Sequence, residues 1–343
     1  MSFSFIETRL KERDKIILYA LIGVGMILIA GTRGIYDTPD SDNYEILYYG
    51  TVSWDDDFRE PTFIIMSYFL KSLGLGINAL FFAYAIMSIP LRLGIIWKMS
   101  KFPLITLGVY FSHYYQLHDL MQIRCAVASA LFLFALYYRV EKKNLYTFLF
   151  LILGVLFHYS AAFGFLLFFL DNDRLSKWQL AILYSVIPIG LIVYFMGVDI
   201  FYLIPDNFGG DRLSTYRRLK EAGLEDEYAS WAFYVNPVVI TNILLYFVVL
   251  YFHKILTDKY KYTPIMLKIM CVAFACMLML GNFSAVLANR LNEYFEIVAI
   301  FLWTATIYLF YPIFWGKITV NLISTLRCVA CILIYTIGTI NNH

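Results

Sequence analysis

The chain alternates long apolar runs with short polar clusters, and most of the runs are of membrane length. A helix crosses the hydrocarbon core of a bilayer with about 20 predominantly apolar residues. Runs near 15–32, 77–97, 103–117, 120–138, 178–198, 237–252, 264–281, 297–312 and 318–340 meet or approach that length. Two others fit poorly. Residues 61–75 are short and end in Gly74 and Gly76, and residues 145–170 are long and interrupted at His158, Tyr159 and Ser160. Both read as broken or re-entrant helices, which survive at membrane depth only where protein shields the backbone or a wet cavity reaches it. The expected fold is therefore all-α. It is one polytopic integral membrane domain over 1–343, with about ten to eleven transmembrane or re-entrant helices by the length rule and a modest extracytoplasmic loop over 199–236. No internal repeat is visible.

Composition agrees. Of 343 residues, 61% are hydrophobic and 15% charged, against ~45–50% and ~25% for a soluble domain. A formal net charge of +2 gives no reason to expect nucleic acid as a partner. The polar opening "MSFSFIETRLKERDK" runs into a full-length span without a small-residue cleavage site, so no cleavable signal is expected. Cys125, Cys271, Cys276, Cys328 and Cys331 all lie in apolar runs and read as small buried hydrophobes. Neither pair spacing fits a zinc site.

Basic residues in short loops mark the cytoplasmic side. Arg9, Lys11, Arg13 and Lys15 assign the N-terminus there. Three further patches join it: Arg92 with Lys98 and Lys101, Arg139 with Lys142 and Lys143, and Lys254 with Lys259 and Lys261. Residues 33–60, with eight acids and two Arg, and residues 199–236, with seven acids and four basic residues, belong to the opposite side.

On that side the unusual polar groups gather. Arg33 and Asp37 follow the first span in "GTRGIYDTPDSDNYEILY". The guanidinium fork suits phosphate, although an interfacial Arg reaching for water explains Arg33 as well. "DTPDSD" faintly resembles an acidic metal motif, but oxygen-ligand sites need more converging carboxylates, and no metal or other cofactor is expected.

"HYYQLHDLMQIRCAVASALF" fills the expected turn between two spans and carries His113, Gln116, His118 and Asp119. It sets Arg124 about a turn inside an apolar helix. A charge there must face a bundle interior or cavity, either at a functional pocket or paired with Asp119 or Glu60. His158 stands alone in its apolar run; an imidazole there is either a proton acceptor at working pH or an interhelical hydrogen-bond partner.

"GGDRLSTYRRLKEAGLEDEYASW" offers Arg212, Tyr216, Arg217 and Arg218, an Arg-plus-aromatic set suited to sugars and phosphates or else a solvated loop helix. "ANRLNEYFEIVAIFLW" puts Arg290, Glu293 and Tyr294 on one helix face, as substrate contacts or as a local ion pair. No Gly-rich phosphate loop, HExxH or GxSxG motif is present.

The ordered set "GTRGIYDT", "SDNYEILY", "REPTFIIMSYFLKSLG", "SHYYQLHDLMQIRCAVASALFLFAL", "FHYSAAFGFLL", "DRLSTY" and "NRLNEYFEI" resembles the EpsG-type branch of the Wzy polysaccharide polymerases over most of residues 17–300. The chain departs from that pattern at Cys125, where the family tends to have Gln. The resemblance implies a glycosyltransferase that joins polyprenyl-diphosphate-linked oligosaccharide repeat units on the outer face of the bacterial inner membrane. It implies membrane lipid around the protein, and a flippase and a chain-length regulator as partners. Arg33, Asp37, Asp42, Tyr44, Glu60, Pro61, Arg124, His158, Arg290 and Tyr294 match recurring family positions. The catalytic set expected on this basis is His158, Arg124, Arg290 and Asp37. Two alternatives stay open: a lipid-linked oligosaccharide ligase, and a transporter of polyprenyl-linked sugars, whose usual paired repeats are not seen here.

Overall fold

A computed structural model of the chain describes residues 10–38, 40–50, 60–199 and 236–341. Every regular element among them is helical. Six helices are long and apolar enough to cross a membrane: α1 (Glu12–Thr32), α4 (Ile77–Met99), α6 (Ile123–Val140), α8 (Lys177–Phe195), α11 (Thr263–Leu280) and the Ile313–Leu333 part of α14 (Ile313–Asn341). A seventh span results if α9 (Pro237–Tyr251) and α10 (His253–Lys259), which meet at 84°, count as one.

The expected ten to eleven segments are not confirmed, because several apolar runs form shorter pieces. Residues 61–75 give the short helix α3 (Pro61–Ser72), which ends before Gly74 at φ +69°. Residues 145–170 break where expected: α7 (Asn144–Phe157) stops at His158, and a 3-10 helix (Tyr159–Phe169) follows. The run at 297–312 splits into α13 (Ala299–Ala305) and a 3-10 turn.

The expected turn at 113–124 is corrected. Residues Tyr110–Met121 form a π-helix that continues α5 (Pro103–Val109) and leads into α6. Its polar groups are inside: His118 and Asp119 are buried. Asp119 accepts hydrogen bonds from Ser88 Oγ at 2.5 Å and from the Tyr110 hydroxyl, which meets the need of a buried carboxylate for donors. Arg92 is also corrected. It does not join the surface patch of Lys98 and Lys101, because it lies two turns before the end of α4 and is buried against α6. There its Nη2 donates to Ser129 Oγ at 2.6 Å and to the Ala126 carbonyl at 3.2 Å.

The chain forms two compact units. The first, Met1–Leu167 with Phe310–His343, contains α1, α2 (Ser41–Tyr49), α3 to α7, the π-helix and α14. Small residues set its helix spacing, as expected where van der Waals packing drives association. Gly23 and Gly31 of α1 let the α4 side chains Leu93 and Phe82 lie against the backbone, where a methyl group would collide. Ala126, Ala128, Ser129 and Ala130 of α6 are fully buried. An aromatic-rich core forms where α2, α3, α4 and α6 meet, and it includes Tyr44, Tyr48, Phe63, Phe81 and Tyr84. In the second unit, Phe168–Leu309, Gly190 of α8 packs against Leu278 of α11. Lys268 of α11 ties down Asp171, with Nζ 2.7 Å from Oδ1.

Candidate active site

Glu60 is the hinge of the site. It stands at the N-cap position of α3, and Pro61 occupies the first helical position, where a missing N–H costs nothing. The Glu60 side chain makes no capping hydrogen bond to α3 and is buried, only 4% exposed. One carboxylate oxygen, Oε2, forms an ion pair with Arg124 Nη1, and the other, Oε1, lies 3.0 Å from His158 Nδ1. Three helix ends thus meet in one cluster: the start of α3, the start of α6 and the C-terminal break of α7. The Arg124 and His158 side chains keep 19% and 13% of their surface exposed, so the cluster can be approached without being bathed in water.

The ionisation of Glu60 follows from its partners. Burial alone would raise its carboxyl, but the His158 hydrogen bond and the Arg124 guanidinium outweigh that and hold it at about 2, below the ordinary 4.5. An ionised carboxylate only accepts hydrogen bonds. Nδ1 of His158 therefore carries the proton it shares with Glu60, and whenever the ring is neutral Nε2 is its basic nitrogen. This is the carboxylate–imidazole arrangement that fixes a tautomer for proton transfer.

Aromatic rings surround Arg124. Its guanidinium carbon lies 5.5 Å from the Tyr44 ring and 5.4 Å from the Phe63 ring, within cation–π range. Sequence reasoning missed a fourth participant, Tyr84 of α4. Its ring packs edge-on against Phe157 at 6.3 Å. Its hydroxyl is buried, lies beside the Thr62 side chain, and interacts electrostatically with Arg124, Tyr44 and Glu60. Arg124 Nε is a buried donor without a partner. An unused guanidinium donor near a buried tyrosine hydroxyl marks a place for an acceptor atom. The sequence signal for Tyr84 was a tyrosine in an apolar span, too common to single out.

The other expected site residues have different surroundings. Arg33 is buried at the end of α1, stacked 3.7 Å over the Phe81 ring, with Nε 3.3 Å from Ser41 Oγ. Asp37 accepts the Gly34 amide at 2.6 Å and closes the turn after α1. Asp42 accepts the neighbouring Asn43 amide at 2.8 Å. His113 and Gln116 face α14, with His113 Nδ1 3.4 Å from Cys331 Sγ and Gln116 Nε2 3.9 Å from Cys328 Sγ.

Arg290, Glu293 and Tyr294 belong to α12 (Ala285–Glu296) of the second unit; Arg290 is exposed and Tyr294 buried. On the same helix Glu296 accepts from the Asn242 amide and, at 3.0 Å, from Asn292 Nδ2. Arg212, Tyr216, Arg217 and Arg218 lie outside the described residues. Among the described residues, no three His, Cys, Asp or Glu side chains are grouped to hold a metal ion.

A multi-pass helical bundle with a buried carboxylate joining an arginine and a histidine defines a membrane protein with an enclosed polar site. The EpsG family model matches residues 16–343, and the chain belongs to the EpsG family. Membership indicates a polysaccharide polymerase-like function of the glycosyltransferase kind. No curated protein and no solved structure matches the chain.

Proposed function

We propose that this protein polymerises polyprenyl-diphosphate-linked oligosaccharide repeat units at the outer face of a bacterial cytoplasmic membrane. The observation that carries the reading is the Glu60 carboxylate bridging Arg124 and His158. In the reaction, an acceptor sugar hydroxyl attacks the anomeric carbon of the donor glycan. The new C–O bond forms as the bond to the diphosphate breaks, and the lipid diphosphate leaves with the electron pair. His158 Nε2 takes the hydroxyl proton. Glu60 holds the ring and stabilises the imidazolium that results. Arg124, with its unused Nε donor, binds a diphosphate oxygen as charge develops there. Tyr44 and Phe63 limit where the guanidinium can move.

Sidedness in this reading rests on the basic residues of the short loops, with the N-terminus in the cytoplasm. Asp37 and Arg33 support the fold of the loop after α1, while Arg290, Glu293 and Tyr294 of the second unit are candidates for contacts to the glycan. The partners proposed with it are a flippase that supplies the repeat units and a regulator of chain length.

The test is polymer synthesis in the producing cell. With the chromosomal copy deleted, the native protein should restore a ladder of glycan lengths, the Arg124→Ala variant should leave single repeat units, and the His158→Ala variant should build the ladder about 10²-fold or more slowly. Restoration of the ladder at the native rate by both variants would remove the reading.

A further inference from the structure

α7 is an apolar helix that stops in the middle of a hydrophobic run. Its C-terminal turn carries carbonyl groups for which the helix itself has no amide. In an apolar surrounding such a carbonyl is costly unless another donor reaches it. His158 begins the break in an extended conformation, φ −155° and ψ 118°, and its amide still closes on the Gly154 carbonyl at 2.9 Å. The Leu156 carbonyl receives its donor from another helix: the Thr62 hydroxyl, 2.8 Å away at an exposed position, with the Tyr84 hydroxyl also beside Thr62.

Thr62 is two residues from Glu60, at the second position of α3. The start of α3 therefore grips the end of α7 twice. Glu60 takes the His158 side chain through Nδ1, and Thr62 takes the backbone two residues before it. One contact alone would leave the imidazole a degree of freedom: the ring could pivot about Nδ1, or the backbone could move beneath it. Together they fix both the ring and the Cα that carries it. We infer that Thr62 is a positioning residue for His158, which holds the α7 break in the register that delivers the imidazole to the reacting hydroxyl; this rests on the function proposed above.

Two substitutions separate the hydroxyl from the volume of the side chain. Thr62→Val keeps shape and removes the donor; Thr62→Ser keeps the donor. Both are made in the full-length protein, alone and together with His158→Ala. Polymer formation is measured in membranes prepared from producing cells, which carry their own lipid-linked repeat units. Misplacement of a catalytic group can cost about 10²-fold in rate. Thr62→Val should approach that loss, Thr62→Ser should stay near the native rate, and Thr62→Val should add nothing once His158 is already Ala. Hydrogen exchange in detergent should speed up at the amides of 157–161 in Thr62→Val and not in Thr62→Ser.

A native rate for Thr62→Val, or an equal fold loss with and without His158, would overturn the inference. So would unchanged exchange at 157–161. Native turnover by His158→Ala itself would instead sink the proposed function, and with it any catalytic role for Thr62, whatever the exchange result.

Discussion

Glu60 Oε1 and His158 Nδ1 lie 3.0 Å apart although the residues are 98 positions apart in sequence. The pairing assigns the proton on Nδ1 and makes Nε2 the basic nitrogen, because the Glu60 carboxylate stays ionised down to about 2. Glu60 itself is then too weak a base to deprotonate a sugar hydroxyl near neutrality. The rate of polymer formation in isolated membranes should rise with pH across the range where imidazoles titrate. His158→Gln, which keeps a hydrogen-bonding side chain but cannot accept the proton, should lack that limb. The same limb in the Gln variant would assign the proton to another group.

Glu60 also ties stability to pH. Its carboxyl is lower in the folded protein, about 2, than the ordinary 4.5. The unfolded chain therefore binds the proton first as pH falls, and the stabilisation from Glu60 is complete above about 4.5 and fades toward 2. Glu60→Gln should remove this dependence between pH 5 and 3. It also leaves Arg124 without its ion-pair partner. Loss of one partner of a buried pair costs about 3–5 kcal/mol, and the partial exposure of Arg124 points to the lower end or less. Thermal unfolding in detergent of native protein and variant, at pH 7 and pH 4, checks both statements: the gap between them should narrow at pH 4.

Arg124 has two roles to separate. Arg124→Lys keeps the charge beside Glu60 but loses the planar fork and the Nε donor. It should be expressed and inserted in the membrane at native levels while polymer formation falls by about 10- to 100-fold, the loss of one charge-assisted hydrogen bond of about 1.5–3 kcal/mol. Arg124→Ala should abolish polymer. Quantitative gels of glycan from membranes of matched protein content decide the matter.

Much of this site was legible in the chain. Arg124 stands out in the chain because a guanidinium has no place on a lipid-facing surface, and Glu60 is one of the two carboxylates the sequence offers it. His158 drew attention as a polar interruption of a long apolar run, and the helix does break there. The limits are equally physical. The π-helix of Tyr110–Met121 follows a period that apolar spacing does not announce. Arg92 read as a loop cation because Lys98 and Lys101 follow it, yet Ser129 and Ala126 on a distant helix take it inside. Tyr84 and Thr62 belong to the site only through packing, since neither residue type is unusual where it stands in the sequence.

Tyr84 supplies a prediction free of large structural cost. Its hydroxyl lies beside Thr62 and Arg124, so Tyr84→Phe removes at most one weak polar contact and preserves the packing against Phe157. Thermal stability should be unchanged within about 0.5 kcal/mol, as for changes that touch none of the severe mechanisms. Polymer formation should fall several-fold if the hydroxyl donates to substrate or to a water beside Arg124. A native rate would confine Tyr84 to packing.

The most direct test is the single change His158→Ala, followed as the rate of glycan elongation in membranes from producing cells, with the amount of inserted protein measured in the same samples. General base catalysis contributes about 10²- to 10⁴-fold. The account predicts a fall of that order with the protein still in the membrane. A native rate of elongation would contradict it and return His158 to the status of a hydrogen-bonded residue between helices.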